Sequence, residues 1–150
     1  MDYSHQVAEV KVSYSSKIPA AKRLKIACSK DAYHIFKQHW DMDRIGFVED
    51  FKILLLNRAN KVLGISHAFS GGMSGVVADP KIIFATALKC GAAGLICCHN
   101  HPSMNLNPSQ PDIQLTNKLK EAGKFLDLPL LDHLILTEES YYSFADEGLL

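Results

Sequence analysis

A chain of 150 residues can bury one substantial core, and a composition of 47% apolar and 21% charged residues is ordinary for a soluble globular domain. Sixteen Lys and Arg are balanced by sixteen Asp and Glu, which removes the basic surface that a strong counterion-release affinity for nucleic acid requires. No apolar run approaches the roughly 20 residues that span a bilayer. The first residues lack the layout of a signal peptide, so a cytoplasmic protein with no membrane partner is expected. Cys28, Cys90, Cys97 and Cys98 have neither CxxC nor disulfide-framework spacing and read as reduced core residues.

In chain order, the alternation of Ala8, Val10, Val12 and Tyr14 against Glu9, Lys11 and Ser13 predicts an N-terminal strand over 7–14. A loop with Pro19 follows, and its basic residues Lys17, Lys22, Arg23 and Lys25 read as a solvated face. Lys25–Cys28 is a candidate short strand. Ser29 is placed to cap a helix running to about Trp40, with Ala32, Ile35, Phe36, His39 and Trp40 on one face and Asp41–Asp43 ending it. Residues 47–56 and 61–68 read as an antiparallel hairpin around the turn Asn57-Arg-Ala-Asn60. The glycine-rich stretch 69–75 lacks the Gly-Lys-Ser/Thr ending of a phosphate loop and reads as a turn.

Asp79-Pro80 opens a second helix, with Gly91 just past its end. Gly94–Cys98 is a short apolar strand. Ser109 begins a long helix to roughly Asp127, whose Leu115, Leu119, Ala122 and Leu126 form a core-facing stripe. Pro129 marks its exit, and strands over 130–136 and 141–144 complete the pattern. Strands joined both by hairpins and by helical crossovers predict a mixed α/β domain, one mixed sheet with helices packed on it.

The chemistry concentrates in the loop between the Gly94–Cys98 strand and the helix that follows. His99 and His101 emerge at a strand end, and Asp112 lies in the first turn of the next helix. Two imidazoles and a carboxylate are the donor set of a catalytic zinc, which keeps its fourth position for water. Ser109 and Asp112 have capping-box spacing, a structural role compatible with a ligand role for the aspartate. Cys98 adjoins His99, but its place in an apolar strand assigns it to packing. His133 reads either as a group orienting a ligand or as a satisfied core histidine. His5, His34, His39 and His67 have no ligand-like spacing.

His99-x-His101-Pro102, six residues, Ser109, two residues, Asp112 resembles the JAMM metal motif of the JAB/MPN domain. The run Asn-His-Pro-Ser within it resembles the RadC branch in particular, a group long labelled as DNA repair proteins. Similarity extends over about residues 29–150, including Leu131-Asp-His-Leu-Ile-Leu136 and Glu147-Gly-Leu-Leu150. The resemblance implies a JAB/MPN-like, cytidine-deaminase-like mixed sheet over 29–150. Residues 1–28 would supply a strand and connecting segment of the same unit.

It also implies that His99, His101 and Asp112 ligate Zn2+, that Ser109 stabilises a developing oxyanion, and that an upstream glutamate serves the zinc water. Glu49 stands where that glutamate belongs, and strand alternation lets only one of Glu49 and Asp50 face the site. The implied activity is metal-assisted hydrolysis of an amide or isopeptide bond in a peptide or protein substrate. The alternative is an accessory module for DNA repair or mobile elements that binds DNA or protein without proteolysis. A scaffold that has lost catalysis ranks below both, because all the ligands are kept. So does a nuclease, with one metal and few basic residues nearby.

The match departs from the family at Lys81-Ile82, where Arg-Glu is common, and at Gly71-Gly72, where Gly-Thr is common. The first 28 residues do not resemble the helix-hairpin-helix region of fuller RadC proteins, so DNA contact is not expected from them. The loop 103–108 is too short to hold the insertions with which deubiquitinating relatives grip ubiquitin.

Overall fold

Strand alternation divides the apolar residues of the central strands between two cores, one on each face of a single sheet. The computed structural model describes residues 1, 3, 5–73 and 75–150. In it, α1 (Ser29–Gln38) precedes an antiparallel pair, β1 (Asp50–Leu56) and β2 (Val62–Ser70). Then follow α2 (Pro80–Lys89), β3 (Gly94–Asn100), α3 (Gln110–Phe125), β4 (Leu130–Leu136) and β5 (Tyr141–Ser143). The strand order is β2-β1-β3-β4-β5, with β3 and β4 parallel and every other neighbouring pair antiparallel. The expected mixed sheet flanked by helices is what forms.

Leu54 and Leu56 of β1, Ile96 and Cys98 of β3, and Leu134 and Leu136 of β4 pack under Ala32, Ile35 and Phe36 of α1. Phe51, Ile53 and Leu55, with Leu95 and Cys97, pack instead against Ile83, Phe84 and Ala87 of α2 and Leu119 of α3. Because β1 and β3 are covered on both faces, they read as nearly continuous apolar runs. The hairpin turn closes as its sequence predicts: the Asn57 carboxamide accepts from the amides of Ala59 and Lys61, and Asn60 takes a positive φ of 55°.

Several expectations are corrected. No strand forms over 7–14. Val7, Val10 and Val12 are exposed, and alternation without a neighbouring strand to supply a ladder does not make a sheet. The candidate strand at 25–28 is reduced to a single bridge from Lys25 to Lys61 on the outer side of β2. Cys28, not Ser29, is the N-cap of α1. The sheet begins at Asp50 rather than residue 47, because turns tie 41–48 to themselves through Arg44 and leave Phe47 exposed. β2 runs on to Ser70, so the turn at 69–75 is shorter than expected, and its Ser74 lies outside the described residues. Leu126 is the exposed C-cap of α3, and Leu128 takes its place in the core. Of the cysteines only Cys97 and Cys98 are buried, on opposite faces. Burial raises both thiols far above the range in which they ionise.

Among the described residues, no helix is long and apolar enough to cross a membrane.

Candidate metal centre

Parity along β3 decides what each residue around the histidine loop can reach. Leu95, Cys97 and His99 face the α2/α3 side, whereas Ile96, Cys98 and Asn100 face α1. His99 therefore sits at the carboxyl end of a buried strand, beside the parallel neighbour β4. One step past the strand, the His101 amide still donates to the Leu136 carbonyl at 3.2 Å. Both histidines are thus held by sheet backbone rather than by a free loop.

Asp112 arrives from the start of α3. Ser109 and Asp112 form the expected capping box: the Asp112 amide donates to Ser109 Oγ at 3.2 Å, and the Ser109 amide donates to Asp112 Oδ2 at 2.7 Å. The cap fixes the carboxylate without consuming it. Its oxygens lie 3.2 Å from His99 Nε2 and 3.2 Å from His101 Nε2, and those two nitrogens are 3.0 Å apart.

The donor set fits a cation. His101 Nδ1 lies 2.6 Å from the Asn105 carbonyl, which can only accept, so Nδ1 carries the proton and Nε2 presents a lone pair. His99 uses its Nδ1 on His133 Nε2 at 2.8 Å, leaving Nε2 turned toward His101 and Asp112. One atom from each of His99, His101 and Asp112 lies within 4.8 Å of the others. These three residues could hold a metal ion, and a positive charge is what three converging electron-rich atoms require.

The charges of these groups are strongly coupled. Burial alone would raise the Asp112 carboxyl, but its contacts with His101 and His99 and the Ser109 amide override burial and hold the group far below the usual carboxylate range. Burial alone would lower the His101 imidazole, but Asp112 and the Asn105 carbonyl move it above its ordinary value. His133 is wholly buried, and desolvation, reinforced by His99, keeps it neutral.

Glu49 lies one residue before β1, its backbone tied to the glycine-rich turn by the bonds Glu49 N to Gly72 O and Gly71 N to Glu49 O. Parity sends it and Asp50 to opposite faces, as expected. Asp50 is engaged by Ser70 and Arg44. Glu49 instead lines a cleft of about 370 Å³ together with His101, Ser109 and Asp112, flanked by Met73, Gly75 and Val76. Burial raises its carboxyl above the ordinary glutamate value, with His99 and His101 pulling it back. Four of the five residues singled out in the sequence border this cleft, and the fifth, His99, lies behind it with its Nε2 3.0 Å from His101 Nε2. Cys98 is confined to the other face of the sheet.

Two participants were not found from the sequence. Asn100, between the two histidines, is fully buried on the α1 face. It donates to the carbonyls of Ile45 (2.7 Å) and Val48 (2.8 Å) and accepts from the Asp50 amide (2.7 Å). It thereby clamps the backbone on both sides of Glu49. Thr116 lies one helical turn after Asp112 and contacts His133. Its spacing of four from the candidate ligand Asp112 was the available signal.

A family model for the RadC-like JAB domain matches residues 26–149. The chain belongs to that family. Relatives of the RadC-like domain include a UPF0758 protein of Flavobacterium johnsoniae, 48% identical over 130 residues covering 85% of this chain and 55% of the relative. A UPF0758 protein of Salinibacter ruber is 36% identical over 130 residues, covering 86% and 54%. One of Clostridium botulinum is 42% identical over 102 residues, covering 68% and 45%. The chain thus spans about half the length of the curated relatives it matches.

Proposed function

We propose that this RadC-like domain is a zinc-dependent hydrolase of the JAMM type, a peptidase or isopeptidase acting on a peptide or protein substrate. The observation that carries the reading is the convergence of one donor atom each from His99, His101 and Asp112, beside the cleft that His101, Asp112, Glu49 and Ser109 line. A zinc ion held by those three residues would supply a Lewis acid that polarises an amide carbonyl and acidifies water.

The chain's own groups would do the rest. Glu49, held at the cleft by the turn at Gly71 and Gly72, takes the proton of the attacking water and returns it to the leaving amine. The raised affinity of its carboxylate for a proton suits that exchange. In the capping box Ser109 Oγ is an acceptor, so its hydroxyl proton remains available to the oxyanion of the tetrahedral intermediate. Asp112 and Asn105 keep the imidazoles oriented.

The test begins with metal content of the purified protein, wild type beside His101→Ala and Asp112→Ala. About one zinc per chain is expected in the wild type and little in either variant. A peptide-library screen then follows, with Glu49→Gln as the control that should keep zinc and lose about 10²–10⁴ in rate. Ser109→Ala should lose about 10²–10³. Wild-type protein that takes up no zinc after reconstitution would overturn the reading and favour an accessory module without hydrolysis.

A further inference from the structure

We propose that His133 and Thr116 are positioning residues: with His99 and the Asp112 carbonyl they form a one-way hydrogen-bond chain that fixes which His99 nitrogen faces the metal position. The inference rests on the metal-site reading above and adds to it a determinant outside the ligand set.

The direction of the chain follows from proton counting. Thr116 Oγ lies 2.7 Å from the Asp112 carbonyl oxygen, which can only accept, so the single hydroxyl proton of Thr116 is committed there. Thr116 Oγ also lies 2.7 Å from His133 Nδ1. With its own proton used, the hydroxyl must accept at that contact, so His133 carries its proton on Nδ1. Wholly buried between the Phe51 and Phe144 rings, His133 carries a single proton, so its Nε2 is bare and can only accept. Its partner at 2.8 Å is His99 Nδ1, which must be the protonated nitrogen of that ring. His99 Nε2 is left with the lone pair, 3.0 Å from His101 Nε2.

Reversal would need Thr116 to donate to His133, His133 to donate from Nε2, and His99 to carry its proton on Nε2, where no cation could be bound. The Asp112 carbonyl opposes that reversal. The residue that offers its side chain as one ligand therefore sets, through its main chain, the tautomer of another.

The surroundings allow little else. His133 and Thr116 are essentially inaccessible, so water cannot replace a missing partner. The His133 ring stacks on Phe144 at 5.0 Å between centroids and meets Phe51 edge-on at 5.6 Å. Asp132 anchors the local backbone through the His133 and Ala145 amides and the Ser143 hydroxyl.

The test has two readouts, neither needing a substrate. Long-range proton–nitrogen correlation spectra of the metal-free wild type, in mildly alkaline buffer, should show His133 protonated on Nδ1 and bare on Nε2. Zinc and cobalt affinities should fall about 10–100-fold in Thr116→Val, which keeps the shape and removes the hydroxyl, with a changed visible spectrum of bound cobalt. Thr116→Ser should restore both. Wild-type protein that takes up neither metal overturns the metal-site reading and this inference with it. A His133 protonated on Nε2, or a Thr116→Val protein that binds zinc as tightly as the wild type, overturns this inference alone.

Discussion

Asn100 stands between two candidate ligands yet serves the opposite face of the sheet. Its amide group donates to two carbonyls and its oxygen accepts from the Asp50 amide, all without access to water. A carboxylate of the same shape keeps the acceptor but sets negative charge against the Ile45 and Val48 carbonyls. Asn100→Asp is therefore expected to destabilise the protein by about 3 kcal/mol or more, no less than Asn100→Ala. Denaturant unfolding checks this. An Asp variant close to wild type would mean that the clamp is not made.

Asp50, next to the clamp, gives a pH prediction. Burial would raise its carboxyl, but Ser70 and Arg44 outweigh burial and lower it below the ordinary aspartate value. Its contribution to stability is therefore complete above the unfolded value of about 4 and is lost as pH falls through the lower folded value. Asp50→Asn should lower stability at neutral pH and make the acid limb of the stability curve shallower, as urea unfolding across that range would show. The raised carboxyls of Glu49 and Asp132 act with the opposite sign, so the wild-type curve alone does not isolate Asp50. At this scale the sequence was informative about groups with a local partner. The Ser109–Asp112 cap and the Glu49/Asp50 parity could be read directly. The bonds of Asn100, whose partners lie about fifty positions away, could not.

Among the elements, α3 contributes from two of its turns, because its start carries Ser109 and Asp112 and its next turn carries Thr116. Its far end is anchored by Gly123. The Leu128 amide donates back to the Gly123 carbonyl at 2.8 Å, and a Cβ at position 123 would meet the Leu128 carbonyl oxygen at 2.4 Å. Helix propensity favours alanine over glycine by about 1 kcal/mol. Here the clash is with backbone that leads straight into β4, so it cannot be relieved by turning a side chain. Gly123→Ala should lower the unfolding midpoint despite the better helix former, and a raised midpoint would show that the exit turn of α3 can shift. Long elements were readable because α3, β3 and β4 carry apolar patterns over several turns or pleats. Their ends were less so. Leu126 fits the periodicity of α3, yet the chain has already turned there, and Leu128 takes the buried place.

For the whole molecule, the question is where the cooperative unit begins. Both cores are built from residues 26 onward, and the family match also starts at residue 26. Ahead of that point the described residues are almost all exposed. The first of them attach through isolated contacts such as Tyr14 Oη donating to the Leu63 carbonyl at 2.5 Å. The segment just before the boundary behaves differently. The Val62 amide donates to the Leu24 carbonyl and the Ile26 amide to the Asn60 carbonyl, which pairs the outer side of the chain where it enters the edge strand β2. The apolar alternation of 7–14 suggested a strand because sequence reports the pleat but not the partner.

Two truncations separate these roles. Removing residues 1–13 should leave the unfolding free energy within about 0.5 kcal/mol of the full chain, the range of changes away from the core. Removing residues 1–27 takes away the buried Ile26 and the two backbone bonds at the start of β2, and should cost about 2 kcal/mol or more. Thermal and urea unfolding of both forms decide the matter. A large loss already in the shorter truncation would place the N-terminal segment inside the cooperative unit.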